Sequence, residues 1–188
     1  ISERDCEVIA HGISLSQIIS SRMTEESELS YINGTMDVIE KAFGSRPKGW
    51  LGIEYGESSI TPRLLAESGI EYLCDWANDE QPYLMTTPVG KLFSLPLLLD
   101  LDDQFALHDR GFEVDAYARM ISMAFDRIYH DSSKSGRLMV LHIHPWIMGQ
   151  PFRIGYFDEA LDHIVSRHSV WKASGGEVIN WYSQGSVL

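Results

Sequence analysis

The sequence has little cysteine, and this excludes two kinds of small-protein architecture. Its 188 residues contain two cysteines, Cys6 and Cys74, which are far apart in the chain. A disulfide scaffold needs several cysteines, and a structural zinc site needs cysteines or histidines paired at short spacing. We therefore predict that both cysteines are thiols in a hydrophobic core.

Long apolar segments and basic residues are also scarce. No run of about 18 apolar residues is present, which excludes a transmembrane helix and predicts no membrane partner. Acidic residues outnumber basic ones 27 to 15, and the formal net charge of -12 repels phosphate backbones, so we expect no nucleic-acid partner. A hydrophobic content of 44% without low-complexity linkers predicts one globular domain over residues 1–188.

The amino terminus lacks the usual features of a complete or exported chain. Residues 1–11 include no initiator methionine, and no basic leader precedes an apolar segment. We therefore expect a cytoplasmic protein. Because the sequence enters a predicted strand almost at once, we interpret it as a piece of a longer protein.

The remaining pattern alternates between short apolar segments and amphipathic helices. Apolar segments predict strands, whereas residues that repeat at helical spacing between capping residues predict helices. The predicted strands are 7–10, 49–53, 70–76, 91–99, 138–143 and 177–179, and the predicted helices are 24–43, a short one from Thr61 to Gly69, 114–129 and 158–167. Repeated strand–helix units predict a parallel α/β sheet, open or closed into a barrel.

Polar residues follow several of these strands. In parallel α/β folds, sites form at the carboxyl ends of strands. His11, Glu54, Glu57, Asp75 and His144 occupy such ends. The aspartate and the first histidine could equally cap loops, and the glutamates could be solvated. The late histidine follows an apolar strand and therefore needs a partner or a cavity.

Two histidines of the last long strand suggest a second kind of site. His142 and His144 are two positions apart, so both side chains face the same side of a strand and could bind one metal ion. A third ligand would have to come from His11, Asp75 or a glutamate. A histidine pair on a strand is a weak signal by itself.

Five ordered motifs resemble the polysaccharide deacetylase (NodB-homology) family, in the branch near the cofactor-independent allantoinases. They are the segments 7–12, 46–52, 61–69, 75–83 and 141–151, so the resemblance covers nearly the whole chain. It implies an α/β fold, a distorted (β/α) barrel of the NodB-homology type. It also implies that the amino-terminal strand or strands of that barrel are missing from this chain.

The resemblance also implies roles for individual residues. Hydrolysis of a carbon–nitrogen bond in an amide would use His144 as the general acid, oriented by Asp75. Arg46 would support a carboxylate and Trp50 would line the pocket. The substrate-binding set implied is His11, Arg46, Trp50, Trp76 and Asn78.

The sequence departs from the family pattern at two places. Metal-dependent members carry an HxxxH pair, but His11 is followed at the second position by Leu15, which cannot bind a metal. The family's early aspartate pair, which supplies the general base, has no counterpart, because Asp102 and Asp103 come too late and lie in a predicted loop. Glu57 is the best visible substitute for the base.

These observations predict an amide hydrolase that acts on a small-molecule or sugar amide, with no cofactor. Two alternatives remain open. One is a metal-dependent polysaccharide deacetylase with zinc or a similar divalent metal, for which His11 and His142 are the candidate ligands. The other is a non-catalytic barrel that binds a carbohydrate or metabolite. A homo-oligomer is compatible with all three.

Overall fold

The computed structural model describes residues 6–185, and the expectations about residues 1–5 fall outside that range. The chain divides into two compact units. The first comprises Ile1–Trp76, Pro82–Leu95 and Ala173–Leu188, and the second comprises Ala77–Gln81 and Pro96–Lys172. The mixed α/β class predicted from the sequence is confirmed. No helix within residues 6–185 has the length and apolarity that crossing a membrane would require.

Helix α1, Glu25–Phe43, forms where the sequence predicts it. The Thr24 side chain accepts a hydrogen bond from the backbone N–H of Ser27, and Gly44 ends the helix with a φ of 80°. Both are standard solutions for the unpaired backbone groups at helix ends. Ile32 and Met36 bury the inward face, whereas Phe43, the last residue of the helix, is exposed.

The sheet lies in the first unit and contains four short strands. They are β1, Gly49–Trp50, β2, Tyr72–Leu73, β3, Tyr83–Met85, and β4, Leu92–Ser94. The order is β1-β2-β4-β3, with β2 parallel to β1 and β4, and β3 antiparallel to β4. Helix α2, Thr61–Glu67, connects β1 to β2, and its Leu64 and Leu65 pack in the core with Trp50.

Two predicted strands and one cysteine of the first unit differ from expectation. The predicted strand 7–10 is reduced to a single parallel bridge between Ala10 and Trp50. The predicted strand 177–179 lies within a helix, α6, Gly175–Gly185, because Glu177 and Ser174 hydrogen-bond each other's backbone N–H groups in its first turn. Cys74 is buried as predicted, but Cys6 is exposed.

The described part of the second unit is built mainly from helices. They are α3, Val114–Asp131, α4, Pro145–Met148, and α5, Ile154–Val165, preceded by a 3₁₀ turn, Leu99–Leu101, and a π-helix, Gln104–Asp109. Tyr117 and Ile121 on α3 pack with Leu101 and Met148 in one apolar cluster. The predicted helices 114–129 and 158–167 correspond to α3 and α5.

The predicted strand 138–143 forms no sheet ladder, although it is the most apolar segment of the sequence. Its backbone makes isolated hydrogen bonds instead, from Leu138 N–H to Glu80, from Leu98 N–H to Val140, and from Asp103 N–H to His142. Alternate side chains, Met139, Leu141 and Ile143, pack against the apolar cluster of this unit. The segment is therefore extended but only half-buried, whereas the sequence predicted a strand covered on both faces.

Candidate functional site

Two neighbouring histidines of the second unit are each held by an adjacent aspartate. His144 Nδ1 is 2.6 Å from Asp103 Oδ1, and His142 Nδ1 is 2.8 Å from Asp102 Oδ2. Both aspartates are buried. The centroids of the two imidazole rings are 4.4 Å apart. We call Asp102, Asp103, His142 and His144 the Asp–His cluster.

Local structure fixes both aspartates as well as the histidines. The other oxygen of Asp102 accepts hydrogen bonds from the N–H groups of Gln104 and Phe105, and so caps the π-helix. The Asp103 carboxylate accepts the His144 backbone N–H at 2.9 and 3.0 Å, in addition to the ring. The His144 carbonyl in turn accepts the N–H groups of Ile147 and Met148 in the first turn of α4.

Aromatic side chains border the cluster. The ring of Trp146 meets the His144 ring edge-on, with centroids 4.6 Å apart, and Trp146 is 61% exposed. Tyr117 donates its hydroxyl to the Leu101 carbonyl at 2.7 Å. Burial, with the charges of Asp103 and Asp102, raises the pKa of Tyr117 well above its usual range, so this hydroxyl stays protonated.

The chemistry of the cluster suits proton transfer. An aspartate on Nδ1 fixes the orientation and tautomer of an imidazole and stabilises its charged form. Because Asp103 occupies Nδ1 of His144, Nε2 is the ring nitrogen that can pass a proton to a bound molecule. The family resemblance implies that Asp75 orients this histidine, but the carboxylate on its ring is that of Asp103.

The cluster also fits a divalent metal. One ligand atom each from Asp102, His142 and His144 lie within 4.8 Å of one another. Two imidazole nitrogens and a carboxylate oxygen are the ligands that a catalytic zinc site uses, with a fourth position left open. Within residues 6–185 the group that meets this test contains His142 and His144, the pair predicted to bind one metal ion, with Asp102 as the third residue in place of His11, Asp75 or a glutamate.

A second group of titratable residues lies in the first unit. The Glu57 and Asp75 carboxyl groups interact with each other. Asp75 Oδ1 also accepts the Gly52 N–H at 2.8 Å, and Glu57 Oε2 accepts the Trp76 indole N–H at 2.9 Å. Burial, followed by the charge of Asp75, raises the pKa of Glu57 to about 8, and burial raises that of Asp75 to about 6. The raised pKa favours the protonated form of Glu57, and the general-base role expected for this residue stays a prediction.

A strained turn places Glu57 beside Asp75. Glu54 and Tyr55 both adopt left-handed backbone conformations, with φ of 52° and 54°. Such conformations cost non-glycine residues roughly 1–2 kcal/mol each. The glycines at both ends are needed for space, because a Cβ on Gly52 would lie 2.7 Å from the Gly56 carbonyl oxygen and one on Gly56 would lie 2.2 Å from the Ile18 side chain.

Comparison with known proteins gives the fold. No family model matches the sequence. The chain is 25% identical, over an alignment of 203 residues, to a Schizosaccharomyces pombe protein named "Putative polysaccharide deacetylase". The alignment covers 97% of this chain and 62% of that protein. A solved structure of a probable polysaccharide deacetylase from Pseudomonas aeruginosa PAO1 superposes with a TM-score of 0.86 at 22% identity. The chain has a polysaccharide deacetylase-like fold.

The structure titled Puue allantoinase shares this deacetylase-like fold, with a TM-score of 0.87 and 23% identity. The alignments with the two solved structures cover 97% and 96% of this chain but 61% and 60% of theirs. The chain therefore spans about three fifths of the length of the relatives it matches.

The residues predicted to bind substrate do not share one environment in the structure. Arg46 is exposed and pairs with Asp37 and Glu40 of α1. Trp50 is buried in the core, and its indole N–H has no acceptor among residues 6–185. His11 Nδ1 donates to the Leu51 carbonyl at 2.7 Å. Trp76 and Asn78 are exposed.

Asp102 and Asp103 are the functional candidates that the sequence analysis missed. Both come too late in the sequence to match the family's early aspartate pair, and they fall in a predicted loop. The sequence contains one indication of their role. Two adjacent aspartates follow one apolar segment and two histidines end another, so each histidine has one candidate partner. The match becomes visible only once the two segments are known to lie together, as the hydrogen bond from Asp103 N–H to the His142 carbonyl shows.

Proposed function

We propose that this chain is the catalytic part of an amide hydrolase that cleaves a carbon–nitrogen bond in a small-molecule or sugar amide. The observation that carries the proposal is the Asp–His cluster, with two adjacent imidazoles each held at Nδ1 by a buried aspartate. The names of the relatives, polysaccharide deacetylase and allantoinase, support the same reaction class.

In this proposal His144 is the general acid. Water adds to the amide carbonyl carbon to give a tetrahedral oxyanion. The carbon–nitrogen bond then breaks as Nε2 of His144 donates its proton to the departing nitrogen. The buried Asp103 carboxylate stabilises the imidazolium before the transfer and holds the ring in a fixed orientation.

His142 is the corresponding general base. Asp102 holds its Nδ1, so Nε2 of the neutral ring can take the proton that the attacking water loses. This division of roles requires one protonated and one neutral ring, with the two ring centroids 4.4 Å apart. Such a state supplies an acid and a base together.

A metal-dependent deacetylase is the second candidate, and the fit of Asp102, His142 and His144 to a divalent metal favours it. A bound zinc ion would supply a Lewis acid for the carbonyl and lower the pKa of bound water. In that case Nε2 of His144 would be engaged as a ligand and another group would protonate the leaving nitrogen. The two candidates therefore differ in whether activity requires a bound metal ion.

The test assays the intact protein that carries this chain against allantoin, N-acetylated sugars and simple amides, with and without a chelator. We expect His144→Ala to lower kcat at least about 100-fold, which is the smaller end of a general acid's contribution. His163→Ala is the matched control, because His163 also pairs with an aspartate, Asp126, but at the surface. Near-native turnover in His144→Ala would contradict the proposal.

Elemental analysis separates the two candidates. One equivalent of metal per chain that is lost in His142→Ala, together with inactivation by the chelator, favours the metal-dependent enzyme. Activity that survives the chelator in metal-free protein favours the two histidines acting as acid and base. Absence of turnover on every amide, with the fold intact, favours the remaining alternative, a non-catalytic barrel that binds a carbohydrate or metabolite.

A further inference from the structure

The Glu57–Asp75 pair contains two buried oxygens with no donor. Glu57 Oε1 and Asp75 Oδ2 are both inaccessible to solvent, and no N–H or hydroxyl group among residues 6–185 reaches them. The remaining oxygens are satisfied, one by the Trp76 indole N–H and one by the Gly52 N–H. Burying two unpaired carboxylate oxygens side by side is costly, because each loses water and the charges repel.

One proton removes both costs. A proton on Glu57 Oε1 turns that oxygen into a donor, and it then bonds the facing Asp75 carboxylate. The result is a continuous series of hydrogen bonds from Gly52 N–H to Asp75, from Glu57 to Asp75, and from Trp76 Nε1–H to Glu57. The final member, Trp76, is 41% exposed.

We propose that Glu57 and Asp75 share a single proton at neutral pH and that this proton positions the Glu57 carboxyl group that accepts the indole N–H of Trp76. Glu57 and Asp75 are then positioning residues for Trp76. The shared proton does not depend on the proposed function.

The surroundings explain which carboxyl holds the proton. Glu28 of α1 is fully buried and accepts hydrogen bonds from Ser58 and Thr61, and its charge opposes ionisation of Glu57. Asp75 instead has the Gly52 N–H, which favours its ionised form, although it also faces the buried thiol of Cys74. The raised pKa of Glu57, about 8 against about 6 for Asp75, agrees with a proton on Glu57.

The raised pKa values of Glu57 and Asp75 determine how the stability of the folded chain changes with pH. Both pKa values are raised by folding, so the folded chain binds protons more tightly than the unfolded chain. The stability that the pair contributes is present below the unfolded values, near pH 4, and is lost as the pH rises through about 6 and about 8. Glu57→Gln keeps a donor to Asp75 and an acceptor for Trp76 but cannot titrate.

The experiment measures urea unfolding between pH 5 and pH 9 in the intact protein. We expect the urea midpoint of the wild type to fall across this range, and the fall to be reduced in Glu57→Gln. Glu54→Gln is the matched control, since Glu54 lies in the same turn but is exposed, and it should keep the wild-type dependence. An equal fall in the wild type and Glu57→Gln overturns the proposal.

Fluorescence tests the link to Trp76 and does not require a folded Glu57 variant. The wild-type emission minus that of Trp76→Phe should change with a midpoint near pH 8, as Glu57 loses its proton. A pH-independent difference overturns the positioning role. Neither measurement needs a substrate, so a titration that persists in a protein inactive on every amide refutes the proposed function and leaves the shared proton standing.

Discussion

Replacement of Asp103 by asparagine tests the central contact of the Asp–His cluster. Asp103 Oδ1 accepts both the His144 ring, at 2.6 Å, and the His144 backbone N–H, at 3.0 Å, and Oδ2 accepts the same N–H at 2.9 Å. An asparagine oxygen at the Oδ1 position keeps an acceptor for the ring but carries no charge. Its amide nitrogen then lies where Oδ2 was, so a donor faces the backbone N–H of His144.

The magnitude follows from these contacts. Loss of the charge weakens a charge-assisted hydrogen bond worth about 1.5–3 kcal/mol, and a buried donor without an acceptor adds roughly 1–3 kcal/mol. We therefore expect Asp103→Asn to lower the free energy of unfolding by about 3–5 kcal/mol, because both contributions act together. The imidazolium of His144 also loses its stabilising charge, so we expect kcat to fall by at least about 100-fold.

The assay is urea unfolding at pH 7 together with steady-state turnover on the best amide substrate. Asp100→Asn is the matched control, because Asp100 pairs with Arg110 on an exposed surface and such pairs contribute about 0–1 kcal/mol. A loss of less than about 1 kcal/mol in Asp103→Asn would refute the reasoning, because it would mean that the three contacts to His144 contribute almost nothing.

Two further predictions concern the first unit. Glu28→Ala removes the acceptor for the hydroxyl groups of Ser58 and Thr61, which lie 2.7 and 2.5 Å from the carboxylate. It should lower the free energy of unfolding by about 2–4 kcal/mol. The control Glu26→Ala, at an exposed position of the same helix, should change it by less than about 0.5 kcal/mol. Gly56→Ala places a methyl group 2.2 Å from the Ile18 side chain and 2.9 Å from the Ile19 carbonyl oxygen, so thermal unfolding should show a loss of about 1–3 kcal/mol. An unchanged melting temperature in Gly56→Ala would contradict the placement of the turn.

Local chemistry in the sequence determined helices α1, α2, α3 and α5. The start of α1 at Thr24 and its end at Gly44 follow from capping alone, and the inward face follows from the spacing of Ile32 and Met36. These features depend on residues within one or two turns of each other. Sequence reasoning can therefore find them without knowing the tertiary fold.

Strands were harder to predict because pairing is not a local property. Segment 138–143 has the composition of a buried strand, yet its backbone makes single hydrogen bonds to three separate segments and no ladder. Strand β3 was not predicted, and it exists because β4 offers it an antiparallel edge. Whether an apolar segment becomes a strand is thus decided by a neighbour that its own residues do not specify.

The sequence by itself determined that His144 needs a partner, because a titratable ring after an apolar segment cannot be left unpaired. Only the tertiary structure decided that the partner is Asp103, which is 41 positions away, and that Asp102 holds His142 in the same manner. The same holds for Glu57, whose proton depends on Glu28 of α1 and on the adjacent residues Asp75 and Trp76. Residue types set the chemistry that is available, whereas burial and distance, which arise only on folding, decide which groups share a proton or a charge.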